Sequence, residues 1–405
     1  MPEFTFDRRY VDLVLAVGVH DEGYVDAYYG PAEWQDEVSV AQSSLAEIHD
    51  RAQSLIDDLA SASASDQARF RALSTQTKSL LAYVEILQGK KFTFDEESKA
   101  LYDAVSPPVP ESRFLSALEK LESILPGEGI LVDRYAEWQK QFYIPSEKLP
   151  QVFECAVQES RRRTKGYIQL PEPETFEIEY VKDQVWGAYN WYKGGGHSLI
   201  QVNTDLPVSI GSAIGLAAHE GYPGHHVYNL LLETHLMKGR GWMEYSVYPL
   251  YSPQSLIAEG TAEYGVDLTF PTQDRLEFYR EELFPLAGID IAKVAEYEAV
   301  NEALSHLSYA RNQAARNYLD GTITKDECIE WMGRYLLLNP ERARKSVSFI
   351  EKNRSYVINY NLGKDMVRDY LERQGAPISE PDKAWPSFLE LMSTPTIPSD
   401  LVEKA

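Results

Sequence analysis

The sequence predicts a mainly α protein, a large helical chain with a small antiparallel β-sheet beside one histidine-rich helix. Three observations carry this. Apolar residues recur at three- and four-residue spacings along most of the 405 residues. The period shortens to two in one stretch only, between Phe176 and Asn203. Three of the eight histidines fall within His219-Glu220-Gly221-Tyr222-Pro223-Gly224-His225-His226, between two apolar helical runs.

Taken in order, the first helical segments are Tyr10–Val17, Ser44–Leu59, Phe70–Leu87, Arg113–Leu125 and Leu131–Phe142. Gly30-Pro31, Pro107-Pro108-Val109-Pro110, Pro126-Gly127 and Pro145 separate them. Asp21, Glu22, Asp26 and Tyr28-Tyr29-Gly30-Pro31 form a polar, aromatic loop, which by itself reads as surface, with a cleft-lining role as the alternative. Three short antiparallel strands follow, at Phe176–Val181, Trp186–Tyr192 and Ser198–Asn203, with Gly194-Gly195-Gly196 turning the chain. Helical pattern resumes over Val208–Ala218, Val227–Leu232, Ala258–Phe270, Arg275–Leu283, Ile291–Leu319, Lys325–Leu338 and Glu341–Arg373. The chain reads as one unit, divisible into two lobes (1–165 and 166–375) around a cleft, with an irregular Pro-rich tail (376–405).

Composition narrows the function. Lys and Arg number 39 against 62 Asp and Glu, a net charge of −23, which argues against a nucleic-acid partner. The one short basic run, Arg161-Arg162-Arg163, closes a helical segment where cations complement the dipole. Two cysteines, Cys155 and Cys328, exclude a disulfide scaffold and a Cys-rich zinc module. No apolar run approaches the ~20 residues of a membrane span. The opening Met-Pro-Glu-Phe-Thr-Phe-Asp has no signal-peptide pattern, so a cytoplasmic location is expected.

The histidine cluster carries the chemistry. A hydrolytic zinc site takes about three protein ligands, His or Glu, and keeps a fourth position for water. Two histidines commonly share a helix at spacing i, i+4, with a general-base Glu after the first. Here Glu220 follows His219, but position i+4 is Pro223. On a straight helix of roughly 100° per residue, His225 points about 120° away from His219, and His226 lies about 10.5 Å along the axis. Pro223 lacks an N–H and its ring clashes with the carbonyl of His219, so the helix must bulge or break after Glu220. Gly224 tolerates the backbone this requires and can bring His225 beside His219. A third ligand fits best at Glu259, where Gly260 allows close backbone approach. Glu263, one turn on, is the alternative ligand or a carboxylate that orients a ligand histidine. His226 is a packing or outer-sphere residue, and His197 a turn residue.

The combination His-Glu-x-x-Pro-Gly-His, followed by Glu-Gly-x-Ala-x-Tyr, resembles the bacterial DUF885 family, relatives of the gluzincin zinc metallopeptidases. The similarity runs from about Tyr24 to Glu372 and is strongest over Gly187–Tyr264 and Arg354–Lys364. Where that family commonly has Trp and Glu in the second motif, this chain has Thr261 and Val266. The resemblance implies a zincin-like fold, one Zn2+ per chain on His219, His225 and Glu259, and Glu220 as base. It favours His225 over His226. It implies that the strand Ser198–Asn203 is an edge that holds an extended substrate through Leu199, Gln201 and Asn203. Tyr222 reads equally as a pocket-lining residue or as a buried aromatic. Arg354, Tyr356 or Tyr360 would stabilise the oxyanion, with His306 a further donor.

The reading is therefore a zinc-dependent hydrolase acting on a peptide. A non-peptide amidase with the same zinc and a metal-binding protein without catalysis are the rivals. A helical di-iron site is excluded because paired Glu-x-x-His motifs are missing near Glu259.

Overall fold

The computed structural model describes residues 5–62, 66–125, 127–184 and 186–402. Met1–Phe4, the punctuating Pro126 and the end of the tail lie outside them. Helices dominate, as the periodicity predicts. The N-terminal part comprises α1 (Phe6–His20), α2 (Ala32–Ala41), α3 (Leu45–Ser61), α4 (Gln67–Leu87), α5 (Phe94–Tyr102), α6 (Glu111–Ile124), α7 (Leu131–Gln139) and α8 (Leu149–Lys165). A short strand, β1 (Val25–Tyr28), follows α1. The middle of the chain holds β2 (Thr175–Val181), β3 (Ala188–Gly194), β4 (His197–Asn203), α9 (Ile210–Leu216), α10 (His225–Leu231) and β5 (Val247–Pro249). Then come α11 (Pro253–Thr269), α12 (Thr272–Phe278), α13 (Phe284–Ala287), α14 (Val294–Ser305), α15 (Tyr309–Leu319), α16 (Lys325–Leu336), α17 (Pro340–Asn353), α18 (Ile358–Arg373) and α19 (Pro381–Met392).

Local chemistry explains several boundaries. Ser44, Thr93 and Thr324 each cap a helix in a reciprocal box with the Glu three residues on, at α3, α5 and α16. In α3 the buried residues Ile48, Ala52, Leu55 and Leu59 make one apolar stripe.

The sheet departs from the expected antiparallel meander. Its order is β2-β4-β3, with β2 parallel to β4 and β3 antiparallel to it. The connection from β2 to β3 carries the chain past the end of β4, which then folds back between them. Ser198–Asn203 is thus the central strand, hydrogen-bonded on both sides, and β3 is an edge. A second two-stranded sheet pairs β1 with β5, so part of the polar loop at Asp21–Pro31 is a strand.

Three further expectations change. The helix read as Ile291–Leu319 breaks between α14 and α15 at His306–Ser308. Glu341–Arg373 breaks at Arg354, which takes a positive φ of 50°. Glu97 holds this break by accepting hydrogen bonds from Arg354 Nε, Ser355 N and Ser355 Oγ. The tail is not irregular: α19 buries Trp385, Phe388 and Met392, and Pro381 fits its first turn, where no N–H is needed.

The core has three apolar clusters. One joins α1, α3, α4 and α5 to α15–α18; a second joins α6–α9, β4 and α12–α14; a third gathers α10, α11, α18 and α19. Nearly every residue of α11 is buried, including Gln254, Glu259 and Thr261. A helix enclosed on all sides is where a buried polar group must have a partner or a purpose. No helix among the described residues is long and apolar enough to cross a membrane.

Candidate metal centre

The bend between the two histidines is resolved by a widened turn. After α9 the chain forms a π-helical turn, Ala217–Gly221. Tyr222 N donates to Ala217 O at 3.0 Å, Pro223 has nothing to donate, and Gly224 N reaches back to Ala218 O at 2.9 Å. A Cβ at Gly224 would sit 1.8 Å from His219 O, so only glycine closes this turn. The chain then starts α10 at His225, whose ring lies 4.7 Å from that of His219 at 83°.

Glu259 arrives from α11. That helix crosses α18 at two glycines: a Cβ on Gly260 would be 2.5 Å from the Gly363 carbonyl carbon. Close approach lets the 3-10 turn that leads into α18 (Arg354–Val357) deliver Tyr356, whose hydroxyl donates to Glu259 Oε1 at 2.6 Å. The other oxygen, Oε2, lies 3.2 Å from His219 Nε2 and 3.6 Å from His225 Nε2. Ligand atoms about 2.0–2.1 Å from one tetrahedral ion are about 3.4 Å apart, which the two Glu259 distances match, and the three residues offer ligand atoms within 4.8 Å of one another. Glu259 Oε2 is buried and has no hydrogen-bond donor of its own. His219 turns its other nitrogen, Nδ1, to Glu263 Oε1 at 3.5 Å, the outer carboxylate that would fix its tautomer.

Electrostatics favours a cation here. Burial opposes charging of His219, yet its close contact with Glu259 and the carboxylates of Glu220 and Glu263 outweigh it and lift its pKa to about 10. Burial alone would raise Glu259, but His225 and His219 hold it well below the usual carboxylate range. The cluster carries more carboxylates than the two imidazoles can balance. A divalent ion balances it.

The centre opens on a cavity of about 560 Å3, within the range of small-ligand sites. Glu220, beside His219 on the π-turn, lines it and is buried; burial raises its pKa against the pull of the two histidines. Asn190 of the edge strand β3 donates to Glu220 O at 2.6 Å and fixes that peptide. Tyr360 lines the same wall, and its hydroxyl makes no hydrogen bond to a described residue. Asp26, on β1, accepts from the Tyr189 hydroxyl, and burial with neighbouring Glu259 and Glu220 raises its pKa to about 7 despite His225.

Of the residues singled out from sequence, His219, Glu220, His225, Glu259, Glu263, Tyr356 and Tyr360 come together. Others do not. Leu199, Gln201 and Asn203 do not line the cavity, because β4 is central and its backbone is paired on both sides. Tyr222 is buried with its hydroxyl on Glu174. His226 is fully buried, its Nδ1 2.8 Å from Ser198 Oγ and its Nε2 3.6 Å from Glu174 Oε2. Arg354 pairs with Glu97 and does not line the cavity, and His306 is exposed at the end of α14. Asp26 lay in the loop marked as able to reach a cleft. Asn190 and Arg311 carried no sequence signal, since a polar residue in a strand or helix reads as solvent-facing.

No family model matches the chain, and no curated protein matches it in sequence. Solved structures resemble it at the level of fold. The structure described as BsuCP superposes with a TM-score of 0.50 at 12% identity, covering 96% of this chain and 88% of that one. A candidate lipoprotein from Colwellia psychrerythraea matches at 0.48 and 14% identity over 85% of this chain. The chain spans 66% of the length of that relative. Trypanosoma cruzi metallocarboxypeptidase 1 gives 0.41 at 13% identity, covering 96% of this chain and 91% of that one.

Proposed function

We propose that the protein is a zinc-dependent hydrolase that cleaves peptide bonds. The observation that carries this reading is the convergence of His219, His225 and Glu259, which offer ligand atoms within 4.8 Å of one another, on a cavity that Glu220 also lines. Two imidazoles and a carboxylate are the donor set that suits zinc. Zinc bound there supplies a Lewis acid and a water whose pKa falls toward ~7.

The chain's own groups account for the remaining chemistry. Glu220 takes a proton from the attacking water and returns it to the departing amine. Its buried, raised pKa suits a carboxylate that must carry a proton through the reaction. Tyr360 donates its hydroxyl to the carbonyl oxygen as negative charge develops there. Tyr356 cannot do both: its hydroxyl is engaged by Glu259 and holds that ligand in place. The β3 edge, with Asn190 anchoring the Glu220 peptide, offers unpaired backbone groups to an extended substrate. The resemblance to the DUF885 family points the same way.

The test is a cleavage screen of zinc-loaded protein on mixed peptides and on small non-peptide amides, read by mass spectrometry, with a chelator control. Chelator-sensitive cleavage of peptides is expected. Turnover confined to the small amides would replace the peptidase reading with an amidase.

A further inference from the structure

The cavity beside the metal centre also has a cationic wall. Arg311 of α15 and Arg342, Lys345 and Lys352 of α17 all line it. On α17 these residues, with Phe349, recur at spacings of three and four, which is one face of a helix. None of the four forms an ion pair within 4 Å of an acidic group among the described residues. Arg316, on the same helix as Arg311, is paired with Asp95.

Arg311 is the most telling member. Its Nε is buried without a hydrogen-bond partner. Burial pulls its pKa down from the usual arginine value, with only Tyr360 near enough to oppose that. Arg311 as a whole is half-buried, but a guanidinium nitrogen buried without a partner is costly unless an acceptor meets it, and the planar fork matches a carboxylate in two parallel hydrogen bonds. Tyr360, Glu220, Glu259 and the two histidines line the same cavity as Arg311. An anion on Arg311 would therefore share that cavity with the centre that the scissile carbonyl must face.

Resting on the peptidase reading, we propose that Arg311 holds the free terminal carboxylate of a peptide, so that residues leave from the carboxyl end. Lys345 and Lys352, which are exposed, and the half-buried Arg342 draw that carboxylate inward against the protein's overall negative field.

The experiment uses two pools of N-acetylated pentapeptides, randomised at the last two positions and identical except that one ends in a carboxylate and the other in a carboxamide. Cleavage by zinc-loaded wild type, Arg311→Gln and Arg311→Lys is followed by mass spectrometry. Retention of both pools by Glu220→Gln protein is measured in parallel by equilibrium dialysis, which needs no catalysis. The carboxylate pool should be cleaved about 100-fold faster and be the one retained. Arg311→Gln should bring it down to the carboxamide level while zinc content stays unchanged, and Arg311→Lys should recover part of the loss. Equal handling of the two pools, no retention of either, indifference to Arg311→Gln, or selection in both pools of peptides with internal Asp or Glu would each overturn the clamp. The two readings fail differently. Selective retention without cleavage by wild type leaves the clamp and removes the hydrolase; equal cleavage of both pools does the reverse.

Discussion

Glu220→Gln is expected to keep its zinc and its fold while kcat falls by about 10³-fold. The side chain is isosteric, lies in the cavity, and makes none of the short contacts among His219, His225 and Glu259. Its backbone carbonyl keeps the bond from Asn190, so the π-turn is undisturbed. What the amide loses is the ability to take a proton. Metal analysis and kinetics on one preparation check this. A variant that retains near wild-type turnover removes Glu220 from the role of base, and one that loses zinc shows that the carboxylate helps hold the ion.

The second large effect is steric. Gly224→Ala puts a methyl group 1.8 Å from His219 O and 2.6 Å from Ala218 O, and both atoms are backbone that cannot rotate away. The turn must open, and it is the turn that carries His219 and His225 to one point. Overpacking of this kind costs about 3 kcal/mol, and metal affinity should fall well over about 10-fold as the two nitrogens separate. Because a ligand that binds only the folded state raises Tm, calorimetry with and without added zinc separates the two consequences. Wild type should gain stability from zinc; Gly224→Ala should be less stable and gain little. Equal zinc-induced shifts in the two proteins would mean that the glycine is not needed to build the site.

Much of this could be read from the chain because the governing signals are local. His219, Glu220, Pro223, Gly224 and His225 lie within seven residues, and helix geometry alone shows that only a break between them makes a common ligand point. Glu259 was legible through its neighbour, since Gly260 does meet the backbone of Gly363. The misses are non-local. Alternation identifies strands but not partners, so β4 read as an edge although β2 pairs with its far side. The break at Arg354 depends on Glu97, a residue 257 positions away in sequence. The tail's prolines masked the apolar face of α19. Arg311 reads as an ordinary helical surface cation until α15, α17 and α18 are assembled around it.

The proposed activity requires three side chains to share one ion. Elemental mass spectrometry of the purified protein, beside His219→Ala, His225→Ala and Glu259→Ala, tests that most directly. Near one zinc per chain in wild type, lost in all three variants, is the predicted result. A wild type that holds no zinc and takes none up when it is supplied would contradict it, and the widened turn at Pro223-Gly224 would then be a bend without a metal to build around.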